Sequence, residues 1–354
     1  MKTPYITIDL KKIQHNAKAI SDLAGKYGVS IAGVTKGVLA MPEVTNAMIR
    51  GGVSWIADSR LDNIERHRAN NINAPILLIR SPHKSEIERV LALADISLNS
   101  EYEIIRLLSE ESVKKGMIHK IIIMVDTGDL REGVWPDELI PLVGEVIKMK
   151  GVKIIGLGTN LADLSGVIPT VENNQRLVSL AEETEDKFNI KLEYLSAGNS
   201  SSLKLLASGK LPARINHFRI SEGIYLGREA IAREIMPGTY QDAFELLAEI
   251  IEKKDKPSVP IGEIGQNAFG QIPSFSDKGI RTRSILNIGR QDVSIEGLTP
   301  KDRGLEIIGA CSDHLVMDTT SDESLKIGSV VAFDVNYAAL LAAMTSPFVS
   351  KVLI

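Results

Sequence analysis

Eight short apolar runs recur along the first two-thirds of the chain, and segments with apolar residues at helical spacing separate them. Residues 101–108 and 137–148 are two of these helical segments. Strands that alternate with helices form parallel βαβ units, and eight units in about two hundred residues predict a closed barrel. We therefore predict an α/β fold with a (β/α)8 TIM-type barrel, and a doubly wound open sheet is the alternative. The runs are residues 30–36, 53–58, 75–80, 94–98, 120–126, 152–159, 191–196 and 215–220.

The pattern changes near residue 244, where Gly, Pro and Ser become denser. Short alternating segments at residues 284–288, 305–308 and 329–333 predict antiparallel strands. The N-terminal residues also alternate like a strand, and a helix is expected from residue 10 to about residue 26. We predict a barrel over residues 10–240, followed by a mainly antiparallel β domain over residues 241–354 that the strand at residues 1–9 joins.

Composition excludes several classes of protein. A chain of 354 residues with 44% hydrophobic and 24% charged residues is typical of a folded globular protein rather than a disordered one. The formal charge of −4 gives no electrostatic signal for nucleic acid or for an anionic membrane. Cys311 is the single cysteine, so no intrachain disulfide can form, and the six histidines show no metal-ligand spacing. We expect a cytoplasmic protein without a metal, nucleic-acid or membrane partner.

Lys36 is the first candidate for chemistry, because it ends the first predicted barrel strand. Active sites of such barrels lie at the carboxyl ends of the strands. A partly desolvated ammonium there can act as a Schiff-base nucleophile. The alternative is an ordinary lysine at a solvated strand end.

Two loops near the end of the barrel indicate an anion site. Residues 196–202, Ser-Ala-Gly-Asn-Ser-Ser-Ser, follow the seventh strand, and residues 218–227 follow the eighth. Loops after these two strands frequently hold phosphate in barrels of this type. Arg219 offers a fixed cation, while Gly223 and Ile224 offer backbone donors. An N-cap loop and a structural ion pair are the alternatives for the two segments.

Three further segments match motifs of a known family over essentially the whole chain. They are residues 5–10 with Asn16 in the first helix, residues 126–133 (Asp-Thr-Gly-Asp-Leu-Arg-Glu-Gly) and residues 309–314 (Gly-Ala-Cys-Ser-Asp-His). With Lys36 and the two loops, they make the chain resemble the fold-type III pyridoxal-phosphate enzymes of the alanine racemase group, most closely the ornithine racemase branch. The resemblance implies pyridoxal phosphate as cofactor. It also implies a homodimer with shared active sites, in which the β domain completes the site of the partner subunit.

The resemblance also implies roles for individual residues. Lys36 would carry pyridoxal phosphate as a Schiff base, Arg131 would lie near its phenolic oxygen and the substrate carboxylate, and Arg219 would face the pyridine nitrogen. The other cofactor-binding residues implied are Asn160 in place of a ring-stacking histidine, Asn199 and Ser200 at the phosphate, and the backbone N–H groups of Gly223 and Ile224.

Departures from the family pattern concern the second catalytic base. Alanine racemases supply it from a Gly-Tyr-Ala-Asp motif, and the matching residues 289–292 read Gly-Arg-Gln-Asp. Lys36 is also followed by Gly-Val-Leu-Ala, which lacks the tyrosine that touches the phosphate. These departures, above all the missing tyrosine of residues 289–292, disfavour alanine as substrate. Residues 309–314 offer Cys311, Asp313 and His314 as replacement bases. Alternation along a strand would place Cys311 and Asp313 on the catalytic face and His314 on the other. The alternative is that Cys311 and His314 are buried structural residues.

These features predict an amino-acid racemase acting on a basic substrate such as ornithine or lysine, with proton transfer on two faces of the Cα. Asp292 and Asp313 are candidates to receive the distal ammonium of the substrate. A decarboxylase of the same fold is an alternative that would use Glu222 at the pyridine nitrogen. A non-catalytic pyridoxal-phosphate homeostasis protein is another, although the β domain after the barrel argues against it.

Overall fold

The computed structural model describes residues 2–354, and the chain divides into two compact units. One unit is the contiguous stretch Leu10–Gln241. The other combines residues 2–9 with Asp242–Ile354. No helix within residues 2–354 is long and apolar enough to cross a membrane.

The unit Leu10–Gln241 is a closed barrel of eight parallel strands in sequential order. The barrel closes because the first strand pairs with the last, with Ala32 opposite Arg219. The fold class predicted from the sequence is confirmed, and the open-sheet alternative is wrong. The barrel strands are β2 (Ser30–Val34), β3 (Trp55–Asp58), β4 (Ile76–Leu78), β5 (Ile96–Asn99), β6 (His119–Met124), β7 (Val152–Gly158), β8 (Tyr194–Ser196) and β9 (His217–Ile220).

Helices follow the strands and bury one apolar face each. The sequence also specifies where one of them begins, because Thr170 and Asn173 form a capping box at the start of the seventh helix. The helices of this unit are α1 (Leu10–Gly25), α2 (Pro42–Arg50), α3 (Leu61–Ala69), α4 (Ile87–Leu93), α5 (Tyr102–Lys114), α6 (Pro136–Val146), α7 (Val171–Phe188), α8 (Leu203–Ala207) and α9 (Glu222–Tyr225).

Side chains from the barrel strands fill the interior, so the barrel has a packed core and no pore. The cluster is aliphatic apart from one indole ring, that of Trp55, which packs edge-on against Tyr194 with ring centroids 4.9 Å apart. This packing leaves the carboxyl ends of the strands as the place where polar side chains collect. The buried cluster comprises Ala32, Val34, Trp55, Ala57, Leu77, Ile96, Leu98, Ile122, Met124 and Ile155.

The second unit is an eight-stranded, mainly antiparallel sheet. Six strands lie in the order β12-β15-β10-β11-β14-β13, and β1 joins them by pairing with β10 and with β16. Only the β1–β16 pair is parallel within the described residues of this sheet. Its elements are β1 (Tyr5–Ile8), β10 (Phe244–Pro257), β11 (Ile280–Leu286), β12 (Leu298–Pro300), β13 (Glu306–Ala310), β14 (Leu315–Asp318), β15 (Val330–Val335), α10 (Tyr337–Thr345) and β16 (Ser350–Leu353).

Residues 311–314 form the turn between β13 and β14, so the strand alternation predicted along residues 309–314 is wrong beyond Ala310. The backbone N–H of Cys311 donates to the carbonyl oxygen of His314 over 3.0 Å, which closes the turn. Ser312 and Asp313 occupy its centre, where short polar residues favour chain reversal. The alternation that separated Cys311 from His314 consequently does not apply. Both side chains are exposed, and Cys311 Sγ lies 3.7 Å from His314 Nδ1.

Candidate active site

Lys36 follows β2 directly and begins a 3-10 helix over Lys36–Val38. Its side chain is half-buried at the carboxyl end of the barrel. The next two residues, Leu39 and Ala40, both have left-handed backbone angles, with φ of 51° and 53°. Arg66 Nη1 donates to the carbonyl oxygen of Leu39 over 2.6 Å and holds this turn. The hydrogen bond from Arg66 thus holds the turn that follows Lys36.

Arg219 lies on β9, the strand that pairs with β2, and its side chain is buried. Nη1 donates to the carbonyl oxygen of Ser196 over 2.8 Å, and Nη2 donates to that of Thr159 over 2.7 Å. Burial lowers the pKa of Arg219 to about 10, while Glu132 and Asp163 act on it only through longer-range attraction that opposes this shift. The guanidinium of Arg219 therefore stays charged at neutral pH. Its N–H groups donate to carbonyl oxygens, and no carboxylate of the described residues is in contact with it.

A hydrogen-bonded network joins Arg219 to three other predicted site residues. Asn160 Oδ1 accepts from Asn199 Nδ2 over 3.1 Å and lies 3.4 Å from Arg219 Nη2. Asn160 Nδ2 donates to Asp163 Oδ2, the oxygen that also accepts from Arg131 Nη2 over 2.9 Å. The structure thereby brings together residues from the loops after β6, β7 and β8 and from β9 itself.

Two buried carboxylates shape the loops of this network. Asp126, at the end of β6, accepts from the backbone N–H groups of Gly128, Leu130 and Arg131 over 2.8–3.2 Å. Asp129 accepts from three backbone N–H groups of residues 162–165. Each carboxylate folds the chain around itself because an ionised acid accepts several hydrogen bonds at once. The positions of Arg131 and of the loop after β7 follow from these bonds.

The predicted phosphate loops also meet. Ser200 Oγ accepts from the backbone N–H of Gly223 over 3.0 Å, which ties the loop after β8 to the start of α9. The backbone N–H of Ile224 donates to the carbonyl oxygen of Ser221 over 2.9 Å. Ser201 Oγ is buried and has no hydrogen-bond partner among the described residues. An unpaired buried hydroxyl is costly, so this loop has an unused donor for an anion.

The second unit holds the remaining predicted residues. Asp313 Oδ1 accepts from Gln291 Nε2 over 2.8 Å, so the turn of residues 311–314 packs against the segment 289–292. Gly289 permits this contact, because a Cβ there would lie 2.1 Å from the carbonyl oxygen of Ser312. Asp292 is buried, and its carboxylate accepts from Ser346 Oγ over 3.0 Å.

Sequence reasoning missed Asp163, although it connects Arg131 to Asn160 and Asn199. The sequence showed only that Asp163 lies in the loop after the run at residues 152–159. Acidic residues are common in exposed loops, so this position alone does not indicate a site. Glu132 was also missed. It pairs with Arg131 Nε over 2.9 Å, and burial raises its pKa.

Comparison with known proteins places this site in a family. The model of the alanine racemase N-terminal domain matches residues 8–229. The chain is 41% identical to ornithine racemase of Acetoanaerobium sticklandii and 38% identical to lysine racemase of Thermotoga maritima, each over 99% of both chains. It belongs to the alanine racemase family. The solved alanine racemase of Clostridium difficile shares the fold at 19% identity, with a TM-score of 0.78 over 99% of this chain and 95% of that one.

Family membership confirms the resemblance inferred from the sequence, and with it an amino-acid racemase that depends on pyridoxal phosphate. The residues present fit this cofactor. Ser201 Oγ offers an unused donor beside the Ser200–Gly223 contact, as a phosphate requires. Arg219 offers a buried cation without a carboxylate in contact, and Lys36 offers an amine at the adjacent strand end. Within residues 2–354, no cluster of three metal-ligating side chains occurs.

Proposed function

We propose that this protein interconverts the L and D forms of a basic amino acid, with ornithine as the first candidate and lysine as the second. The environment of Arg219 is the main support for racemisation. Its guanidinium is buried and held by carbonyl oxygens, so it would face the ring nitrogen of the cofactor as a cation that does not protonate it. The identity of the two full-length relatives supports the basic side chain.

The chain's own residues divide the work on one face of the substrate. Pyridoxal phosphate, when bound, withdraws electrons from the Cα of an attached amino acid and so acidifies its Cα–H bond. Lys36 would hold the cofactor and then accept or return the Cα proton through Nζ. Arg219 would face the ring nitrogen and keep its own proton, which limits electron withdrawal and disfavours side reactions. Arg131 would bind the substrate carboxylate.

The phosphate would be held by the loop after β8 and the start of α9. Ser200 and Ser201 supply hydroxyl donors, and Asn199 fixes the loop by accepting from the backbone N–H of Ser201 over 2.7 Å. When the phosphate binds, the backbone N–H groups of Gly223 and Ile224 would exchange their present acceptors, Ser200 Oγ and the carbonyl oxygen of Ser221, for phosphate oxygens. Asn160 would lie against the ring as part of the network with Arg219.

Cys311 and His314 are the residues we assign to the opposite face of the Cα. A thiol and an imidazole 3.7 Å apart can pass a proton between them, and both are side chains that act as acids and bases in catalysis. Asp313 already accepts from Gln291, so we assign it to holding the turn rather than to proton transfer. This assignment replaces the missing tyrosine of the segment 289–292.

A homodimer with shared active sites would bring these residues to a barrel. The second unit exposes apolar side chains between β10 and β11, where Ile261 is 94%, Ile272 71% and Phe269 47% exposed. Exposed apolar side chains in one segment are typical of an association surface. We expect Ile261→Asp combined with Ile272→Asp to shift the protein from dimer to monomer in light scattering. A wild-type protein that is monomeric at high concentration would contradict the shared site.

The decarboxylase alternative depends on Glu222, which forms an ion pair with Arg233. Burial raises the pKa of Glu222 and the Arg233 guanidinium opposes this shift, so this carboxyl group is already engaged by a cation of its own loop. A carrier without catalysis would not need the second unit, which the racemase relatives match along their full length. A single cysteine suits a reducing compartment, so we propose a cytoplasmic location.

Incubation of the purified holoenzyme with single enantiomers of ornithine, lysine and alanine tests the function. Chiral chromatography should show both enantiomers of a basic amino acid at equilibrium, without release of a diamine. Borohydride should trap the cofactor on Lys36, and Lys36→Ala should abolish trapping and racemisation. Lys26→Ala, at an exposed lysine, is the matched control. Racemisation by Lys36→Ala, or diamine release by the wild type, would contradict the proposal.

A further inference from the structure

A buried polar cluster surrounds Thr35, the residue that precedes Lys36. Thr35 Oγ1 lies 2.7 Å from Asp58 Oδ2 and 2.9 Å from His67 Nε2. All three residues are fully buried. None of them takes part in the chemistry described above, and burying a carboxylate and an imidazole is costly compared with apolar packing. A contribution to stability therefore does not explain why these polar residues are buried here.

Hydrogen-bond geometry fixes the direction of each bond. Burial lowers the pKa of His67 to about 4, so the ring is neutral and carries one N–H group. Its Nδ1 has no partner among the described residues, whereas Nε2 faces Thr35. Asp58 Oδ1 accepts from Asn63 Nδ2 and from the backbone N–H of Arg60, each over 3.0 Å. Thr35 consequently donates to the carboxylate of Asp58 and accepts from Nε2–H of His67.

The backbone of Thr35 is held as firmly as its hydroxyl. Its N–H donates to the carbonyl oxygen of Ala57 over 2.9 Å. Its carbonyl oxygen accepts from the backbone N–H of Val38 over 3.1 Å and from that of Ala40 over 3.2 Å. These two bonds close the turn that contains Lys36. A displacement of Thr35 would therefore move the Cα from which the Lys36 side chain extends.

We propose that Asp58 and His67 act through Thr35 as positioning residues for Lys36. They fix the junction between β2 and the 3-10 helix that begins at Lys36. Lys36 Nζ would therefore approach the cofactor and the Cα proton from one fixed direction. Preorganisation of this kind affects the reaction rate more than the substrate affinity, because the Lys36 side chain does not have to reorient before it reacts. The inference rests on the proposed role of Lys36.

Thr35→Val removes the hydroxyl at nearly constant volume, and Thr35→Ser restores it. Thr184→Val is the matched control, because Thr184 is equally buried in α7 and its hydroxyl donates only to the carbonyl oxygen of Leu180. Three quantities are measured for each variant. They are the rate at which apoprotein forms a borohydride-trappable bond to added pyridoxal phosphate at Lys36, the kcat and KM of racemisation, and the Tm of the apoprotein.

We expect Thr35→Val to lower the trapping rate and kcat by on the order of 10-fold to 10²-fold, with KM changed by less than about twofold. Thr35→Ser should recover most of both rates, and Thr184→Val should lower Tm without lowering kcat. Wild-type trapping and kcat in Thr35→Val would overturn the inference, as would an equal loss of kcat in Thr184→Val.

If Thr35→Val does not fold, the same measurements are made on Asp58→Asn. It keeps the volume but presents an amide in place of the anionic acceptor, so we expect the same loss of kcat with little change in KM. Wild-type kcat in Asp58→Asn would overturn the inference. A wild-type protein that traps no cofactor at Lys36 would instead overturn the proposed function, and this inference with it.

Discussion

Acidification should destabilise this protein through three buried histidines, and His119 offers the most direct test. His67, His119 and His217 are at most 2% exposed, and each ring is hydrogen-bonded to a hydroxyl group on a neighbouring element. Burial lowers the pKa of His67 and His119 to about 4 and that of His217 to about 3. Each ring therefore binds a proton more tightly in the unfolded chain than in the folded one.

The sign and size of the effect follow from these values. Well above pH 6.5, the pKa of a histidine in the unfolded chain, the three rings are neutral in both states and contribute nothing. As pH falls from 6.5 towards 4, the unfolded chain takes up protons that the folded protein refuses, and its free energy of unfolding falls. At pH 5 the loss is about 2 kcal/mol per histidine, or about 6 kcal/mol for all three. This is comparable to the net stability of many folded proteins, about 5–15 kcal/mol.

Acidic residues act in other ways over this pH interval. Burial raises the pKa of Asp58, Glu132 and Glu222, so these groups favour the folded state as pH falls. Asp318, whose pKa is lowered to about 2, stabilises the folded state throughout this interval and loses that contribution only at more acidic pH. A comparison of variants is therefore needed to isolate one histidine.

His119→Gln keeps a hydrogen-bonding group beside Ser97 but removes the titration. Urea unfolding of the holoenzyme at pH 7.5 and at pH 5 gives the loss of stability for each variant. The wild type should lose about 2 kcal/mol more than His119→Gln. His83→Gln, at a half-exposed histidine, is the control for the substitution itself. Equal losses in the wild type and His119→Gln would refute the claim that His119 is held neutral by burial.

Four further predictions concern the site. Arg219→Glu should change the visible spectrum of the bound cofactor and slow racemisation by about 10²-fold, and an unchanged spectrum and rate would assign Arg219 to structure alone. Cys311→Ala should stop racemisation while one enantiomer still exchanges its Cα hydrogen in deuterated water, as NMR would show; normal racemisation would exclude Cys311 as the second base. Asp163→Asn should raise KM by about tenfold with a smaller change in kcat, because Arg131 loses one of its two ion pairs and keeps only that with Glu132, and an unchanged KM would contradict that connection. Mixing Lys36→Ala with Cys311→Ala should restore activity through hybrid dimers, and no recovery after verified subunit exchange would count against shared sites.

The barrel could be predicted from the sequence because its signal is local and repeated. Each apolar run such as residues 152–159 carries enough β-branched and aliphatic residues to specify a strand, and the helices between them follow from their periodicity. Lys36 and Arg219 could be found for the same reason, since their place at strand ends follows from strand order alone. The ornithine racemase resemblance then gave the cofactor.

The turn at residues 311–314 shows where such reasoning fails. Alternation along a strand depends on the exact residue at which the strand ends, and β13 ends at Ala310 instead of continuing. A shift of this kind reverses which side chains share a face, so Cys311 and His314 became neighbours.

The sequence by itself determined the order of strands and helices, the position of Lys36 after β2 and the family to which the chain belongs. Only the tertiary structure decided that Asp163 joins Arg131 to Asn160, and that Asp58 and His67 meet at Thr35. The physical reason is the range of the interactions. Strand and helix signals arise from residues a few positions apart. The bonds of Thr35 to Asp58 and His67, and that of Arg131 to Asp163, instead join residues separated by 23 to 32 positions and form only when the barrel closes.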